Sequence, residues 1–233
     1  LPTDEYISEI IPDHFILFKP RDIVSGDFYW LSQKNNKIIA TAVDCTGHGV
    51  PGAFMSMLGI SFMNKIVNEM NITEPDEILN RLRSNIVDAL HPKGYESESK
   101  DGMDMSLCVI DIEKNIIKFS GAFNSMFRLR AGEIIEIKAD RMPVAKYDVM
   151  EPFSTKVIDM QKGDIIYMYS DGYPDQFGGP KKKKFMKGKF KRLLEENHKL
   201  ALDEQKILLE ETLENWKGNE PQIDDIVVIG IKI

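Results

Sequence analysis

Carboxylates recur in this chain at the places where apolar runs stop. Asp44 closes the run 38–43 and opens the glycine-punctuated loop Cys45-Thr46-Gly47-His48-Gly49-Val50-Pro51-Gly52. Ser25-Gly26-Asp27, Tyr169-Ser170-Asp171-Gly172 and Ile223-Asp224-Asp225-Ile226 repeat the arrangement. One Asp in such a place is ordinary turn chemistry. Its recurrence points instead to a polyaspartate metal site. Hard divalent cations such as Mg²⁺ or Mn²⁺ take carboxylate oxygens and keep several waters, so a few Asp residues can hold two ions without His or Cys. Two ions about 3.5–4 Å apart acidify a shared water and clamp a phosphoryl oxygen, which gives hydrolysis with no protein nucleophile. Without a cation the same carboxylates repel one another, and some take up protons at neutral pH.

The elements that must position these residues read mainly as strands. Strand-like runs occur at 15–18, 28–31, 38–43, 105–110, 116–119, 127–129, 134–137, 156–158, 165–169 and 226–231. Turns such as Glu113-Lys114-Asn115 and Ala131-Gly132-Glu133 separate several of them, which implies antiparallel pairing. The runs 38–43 and 165–169 are apolar on both faces, so something must cover both sides of those strands. Helical spacing appears over 53–70, entered at Pro51, with Phe54, Leu58, Phe62 and Ile66 at steps of four. It continues through Leu79, Leu82, Ile86 and Leu90 after Thr73 as N-cap. A second helical block covers 189–200 and 202–216, with Leu202, Leu209, Leu213 and Trp216 on one face. The expected fold class is α+β: a four-layer α-β-β-α sandwich with two central, mostly antiparallel sheets flanked by helix pairs. The polar segment 178–189, with its basic run 181–184, reads as a mobile surface loop, and Met55, Met57, Met63 and Met70 read as core filling.

The 233 residues carry a formal charge of −7. That length suits one large core, and the chain reads as a single domain over 1–233. The acidic balance argues against nucleic acid as a main partner. No apolar stretch approaches the roughly 18 residues of a membrane span, and the N-terminus lacks a signal-peptide plan, so the domain reads as cytoplasmic without membrane insertion. Cys45 and Cys108 are too few for a disulfide framework and read as small buried hydrophobes. His14, His91 and His198 lack ligand spacing and are expected at the surface. The start at Leu1, with no initiator Met, suggests a catalytic domain excised from a longer regulated protein.

Four segments in order, Arg21-Asp22-Ile23-Val24-Ser25-Gly26-Asp27-Phe28-Tyr29-Trp30, Asp44-Cys45-Thr46-Gly47-His48-Gly49-Val50-Pro51-Gly52-Ala53, Tyr169-Ser170-Asp171-Gly172 and Asp224-Asp225, resemble a known family. It is the bacterial sporulation-phosphatase (SpoIIE-like) branch of the metal-dependent, protein phosphatase 2C-like (PPM) superfamily. The resemblance spans nearly the whole chain. It implies hydrolysis of phosphoserine or phosphothreonine in a protein at a binuclear Mn²⁺ or Mg²⁺ centre. Asp44 matches the Asp that bridges both ions, and the backbone carbonyl of Cys45 matches a group completing one shell. Asp171 and Asp224 match ligands of one ion, and Asp27 matches the Asp on the other side. Asp225 is the less favoured of its pair. A third, weaker metal position is also implied, with Asp104 or Asp101 as its acidic residue.

The same resemblance implies a phosphorylated STAS-domain anti-sigma-factor antagonist as substrate, in a partner-switching pathway. It further implies an upstream sensor or switch segment and a homodimer. The chain departs from the pattern in places. Cys45 stands where many members have Gly, and Cys restricts φ where Gly does not. His48 is of the residue type that serves as a general acid, but its loop is one residue longer than in the eukaryotic members whose His has that role, so a loop-packing role is expected. No residue clearly matches the phosphate-binding Arg; Arg21, Lys19 and the backbone N–H groups at the helix start after Gly49 are the candidates. The alternative is a catalytically inactive relative acting as a signalling or binding module, and retention of the Asp motifs favours the enzyme.

Overall fold

In the computed structural model, which describes residues 1–91, 101–148 and 150–233, the apolar runs form strands β1 (His14–Lys19), β2 (Phe28–Lys34), β3 (Lys37–Cys45), β4 (Met103–Asp111), β5 (Ile116–Ala122), β6 (Met126–Arg130), β7 (Glu133–Ile137), β8 (Lys156–Asp159), β9 (Ile165–Tyr169), β10 (Phe177–Gly178), β11 (Lys183–Lys184) and β12 (Ile226–Lys232). The helices are α1 (Asp4–Ile10), α2 (Gly49–Met63), α3 (Pro75–Leu90), α4 (Gly172–Asp175), α5 (Lys187–Glu196) and α6 (Leu202–Lys217), and a π-helical stretch, Asn64–Glu69, extends α2. One sheet has the order β1-β12-β9-β6-β7 and the other β2-β3-β4-β5-β8, and every pairing within them is antiparallel.

Alternation along each strand divides the apolar residues into layers. Ile39 and Val43 of β3 pack with Met55, Ile66, Leu79 and Leu82 from the α2 and α3 side. Ala40 and Ala42, from the opposite face, meet Ile166, Met168, Val227 and Ile229 of the other sheet. That other sheet buries its outer face, Phe127, Tyr167 and Val228, under Phe190, Leu209 and Leu213 of α5 and α6. Both faces of β3 and β9 are covered, as their uninterrupted apolar runs require. The result is the expected four-layer sandwich.

Register decides where the acids lie. Phe28 at the start of β2 pairs with Val43 near the end of β3, and Asp44 pairs with Asp104 near the start of β4. In the other sheet, Tyr169 at the end of β9 pairs with Val228 near the start of β12. The five strand ends that carry Asp27, Asp44, Asp104, Asp171 and Asp224 are therefore brought to one edge of the sandwich.

Several details differ from the expectations. The N-cap of α3 is Glu74 rather than Thr73, because Pro75 takes the first helical position; the Thr73 hydroxyl instead accepts from Lys37 Nζ at 2.9 Å. The segment 178–189 is not a loop throughout: β10 and β11 pair as a hairpin and α5 begins at Lys187. The hairpin lies so close to α6 that a Cβ on Gly178 would fall 1.9 Å from the Trp216 carbonyl oxygen. Met55 and Met63 are buried, but Met57 and Met70 lie on outer surfaces, so only half of the methionine set fills core. His14, His91 and His198 are half-buried rather than on the surface; the Nδ1 of His14 lies 2.6 Å from the Ile11 carbonyl oxygen. The stretch Gly49–Glu69 is, at 21 residues, long and apolar enough to cross a membrane by length and composition, contrary to the sequence estimate. Here it packs as a core helix, with Met63, Ile66 and Val67 fully buried.

Candidate metal centre

Asp44 follows Ala40 and Ala42 on the face of β3 that looks toward the other sheet, and its register partner Asp104 shares that face. Asp171 lies close enough to Asp44 for their carboxyls to interact directly. Asp27 is 3% exposed. It is hydrogen-bonded to Ser170, while its Oδ2 is buried with no hydrogen-bond partner. An orphaned, buried carboxylate oxygen is costly unless something cationic meets it.

The electrostatics agree with that geometry. Burial holds the Asp27 carboxyl well above the ordinary carboxylate range, and Asp225, Asp224 and Asp171 push it further, against the opposing hydrogen bond from Ser170. Asp44 is also pushed well up, first by burial and then by Asp27, Asp171, Asp104 and Asp224. Asp104 is raised to about 7 by burial and by Asp171. Asp171 reaches solvent at the mouth of the cleft but is flanked by protein on its other sides; desolvation raises it first, then Asp175 and Asp224, with Lys184 acting in opposition. Asp224 is raised mainly by burial, offset in part by the Asp225 backbone N–H and by the charges of His48 and Arg21.

Rigid loops keep these like charges together. Asp225, 1% exposed, accepts from the Arg21 backbone N–H on Oδ1 and from the Gly26 N–H on Oδ2, both at 2.7 Å. It thereby braces the loop that delivers Asp27. The Ser56 hydroxyl of α2 donates to the Gly26 carbonyl. Beneath it the loop backbones touch: a Cβ on Gly26 would lie 2.4 Å from the Gly47 carbonyl oxygen, and one on Gly52 would lie 2.3 Å from the same atom. Only glycine permits that approach.

The structure thus gathers Asp27, Asp44, Asp104, Asp171 and Asp224 and gives Asp225 a bracing role. The Cys45 side chain packs into the helix-side core beside Ser56, with its thiol pushed up by burial, which leaves only its backbone to serve the site. Asp101 is exposed ahead of β4. His48 precedes α2 and pairs with Asp22 at 3.1 Å, both about half exposed. Arg21 is tied to the Ile223 carbonyl and Lys19 to Glu214, so both candidate phosphate ligands already have partners. Sequence reasoning missed the Asp22–His48 pair and the Ser170 contact to Asp27. No spacing signals the former, whereas Ser170 beside Asp171 at the end of β9 was available as a clue.

The donor set, all oxygen, with one buried orphan, fits hard dications. Among the described residues no three His, Cys, Asp or Glu side chains converge into a ready coordination shell.

The family model described as Stage II sporulation protein E (SpoIIE) matches residues 34–233. Among solved structures, the chain is similar to the SiaA-PP2C domain of Pseudomonas aeruginosa, with 28% identity and a TM-score of 0.88 over 99% of this chain and 90% of that one. It is similar to the PP2C phosphatase domain and regulatory-domain fragment of the cell fate determinant SpoIIE from Bacillus subtilis, with 19% identity and a TM-score of 0.77 over 95% of this chain and 63% of that one. It is also similar to RsbX in complex with magnesium, at 15% identity and a TM-score of 0.62 over 94% of each chain. The last two likenesses are of fold. No curated protein matches the chain.

Proposed function

The chain belongs to the SpoIIE family of PP2C-type phosphatase domains, and from that premise we propose that it is a metal-dependent protein phosphatase acting on phosphoserine or phosphothreonine. The observation that carries the reading is the buried, partnerless Oδ2 of Asp27 among carboxylates that raise one another. Asp44 would lie between two Mn²⁺ or Mg²⁺ ions, with Asp171 and Asp224 on one ion and Asp27 toward the other. The Cys45 carbonyl would complete a shell, and Asp104 would serve a third, weaker position. When bound, the ions supply Lewis-acid polarisation of the phosphoryl group and a water acidic enough to attack it at neutral pH.

The chain's own residues do the rest. Asp225 and the glycine-packed loops hold Asp27 against Asp44. The two covered sheets keep bulk water off the inner carboxylates, so charge introduced there interacts strongly. No protein nucleophile is needed for this chemistry; the departing seryl or threonyl oxygen takes a proton from solvent as it leaves, and His48, paired with Asp22 and half exposed, packs the loop.

The proposal extends to a cytoplasmic setting, a single catalytic domain governed by an upstream regulatory segment, and a homodimer. It extends as well to a STAS-type anti-sigma-factor antagonist as the phosphorylated substrate. The SpoIIE relative from Bacillus subtilis was solved with part of a regulatory domain, which supports the regulatory segment. The test is hydrolysis of p-nitrophenyl phosphate with Mn²⁺ or Mg²⁺ added. Activity lost by at least about a hundredfold in Asp44→Ala and Asp171→Ala is expected. Wild-type protein that stays inactive at every metal concentration, and indistinguishable from both variants, would show a binding module instead.

A further inference from the structure

A cavity of about 380 Å³ opens beside Asp171, and Phe123, Asn124, Lys184, Met186 and Lys187 are among the residues that line it. Two of them have backbones that bulky residues avoid. Phe123 has φ +53° and Met186 φ +78°, in the region that suits glycine and, less well, asparagine. The Phe123 N–H is held by the Asp140 carbonyl at 2.9 Å, and the Met186 N–H by the Pro174 carbonyl at 2.7 Å. The strain at each is thus imposed by the surrounding structure. Neither side chain uses its position to enter the core: Phe123 is 40% exposed and Met186 59%. Phe123 stands edge-on to another exposed ring, Tyr147, at 5.9 Å between centroids. Two loops, one between β5 and β6 and one before α5, therefore accept unfavourable backbone to hold apolar side chains at a cavity that begins at a proposed metal ligand.

The polar groups of the cavity suit an extended polypeptide. Asn124 and Ser125 add amide and hydroxyl side chains to its lining, groups of the kind that meet backbone carbonyl and N–H groups. Lys184 and Lys187 are held at the rim by Asp175 at 2.6 Å and Glu136 at 2.7 Å, so they frame the cavity without giving it a large net charge. We propose that this cavity is the subsite for the polypeptide flanking the phosphorylated residue, and that Phe123 and Met186 clamp an apolar side chain of the substrate within about three residues of the phosphate. The inference rests on the phosphatase reading and names the kind of substrate that the same site selects.

The test uses phosphoserine peptides in which a single Leu is moved through positions −3 to +3 of an alanine-rich background, with Mn²⁺-loaded protein. Wild type should prefer one Leu position over the all-alanine peptide by about tenfold in kcat/KM, the order expected for burying part of one apolar side chain. In Phe123→Ala or Met186→Ala that ratio should fall to about twofold or less. Because the ratio compares two peptides on one enzyme, a partly folded variant does not distort it. A wild-type enzyme that treats every peptide alike, or a preference that survives in both variants, overturns the proposal. Failure to hydrolyse any peptide and p-nitrophenyl phosphate alike refutes the phosphatase reading itself.

Discussion

Replacing Asp104 by Asn should stabilise the metal-free protein at alkaline pH, the reverse of what removing a buried ion-pair partner does. Asp104 pairs in register with Asp44 and faces Asp171, with burial and that charge lifting its carboxyl from 3.8 to about 7. At about 1.4 kcal/mol per tenfold in the proton equilibrium, ionising it in the folded state is disfavoured by about 4 kcal/mol relative to the unfolded chain. Local relaxation and the water that reaches a partly open cleft reduce this to about 2 kcal/mol. For a chain of this length, that raises Tm by about 4–8 °C. The sign follows from linkage. The folded-state value lies above the unfolded one, so the native state binds the extra proton between about pH 4 and pH 7, and wild-type stability falls as pH rises through that window. The gain in Asp104→Asn should therefore be full at pH 8 and absent near pH 4. Thermal melts by circular dichroism in EDTA at the two pH values measure it. Adding Mn²⁺ should shrink the gain, because cations relieve the same repulsion in the wild type. A Tm that is unchanged or lower at pH 8 in EDTA, or a gain equal at both pH values, refutes the picture of uncompensated carboxylates.

Other perturbations test the frame around them. Asp225→Asn turns one of two acceptors into a donor facing a backbone N–H. It should cost about 3 kcal/mol, or a Tm fall of about 6–12 °C, in melts run with and without metal. Gly52→Ala drives a methyl group to 2.3 Å from the Gly47 carbonyl oxygen; a loss of about 1–3 kcal/mol in chemical denaturation is expected, and an unchanged midpoint contradicts the close packing. Cys108, fully buried with its thiol pushed up to about 12, and Cys45, raised by burial as well, should both resist a thiol-reactive disulfide reagent at pH 8. Both should react once the protein is unfolded in guanidinium, and stoichiometric labelling of the native protein would contradict their burial.

The layers and the acids were legible in the sequence for one physical reason. A strand covered on both faces must be apolar until its end, so the first carboxylate after runs such as 38–43 and 165–169 marks a strand end and a candidate ligand together. What stayed hidden depends on contacts far apart in the chain. The exception is local: Pro75 at the first position of α3 sets the cap at Glu74 rather than Thr73. The hairpin of β10 and β11 forms against Trp216, and His48 finds Asp22 across 26 positions.

Asp224 and Asp225 pose the sharper case, being adjacent and chemically identical. They lie in the bend just before β12, where the Asp225 N–H donates to Asp224 Oδ1, and their side chains go to different partners. Asp225 meets the N–H groups of Arg21 and Gly26 with its two oxygens while still raising Asp27, whereas Asp224 acts on both Asp27 and Asp44. The two roles depend on each other. Without the neutralising backbone donors at Asp225, the loop carrying Asp27 would yield to the repulsion among the acids, and the cluster that makes a cation welcome would open instead. Bracing supplied by one carboxylate is what lets the others stay together while mutually unfavourable.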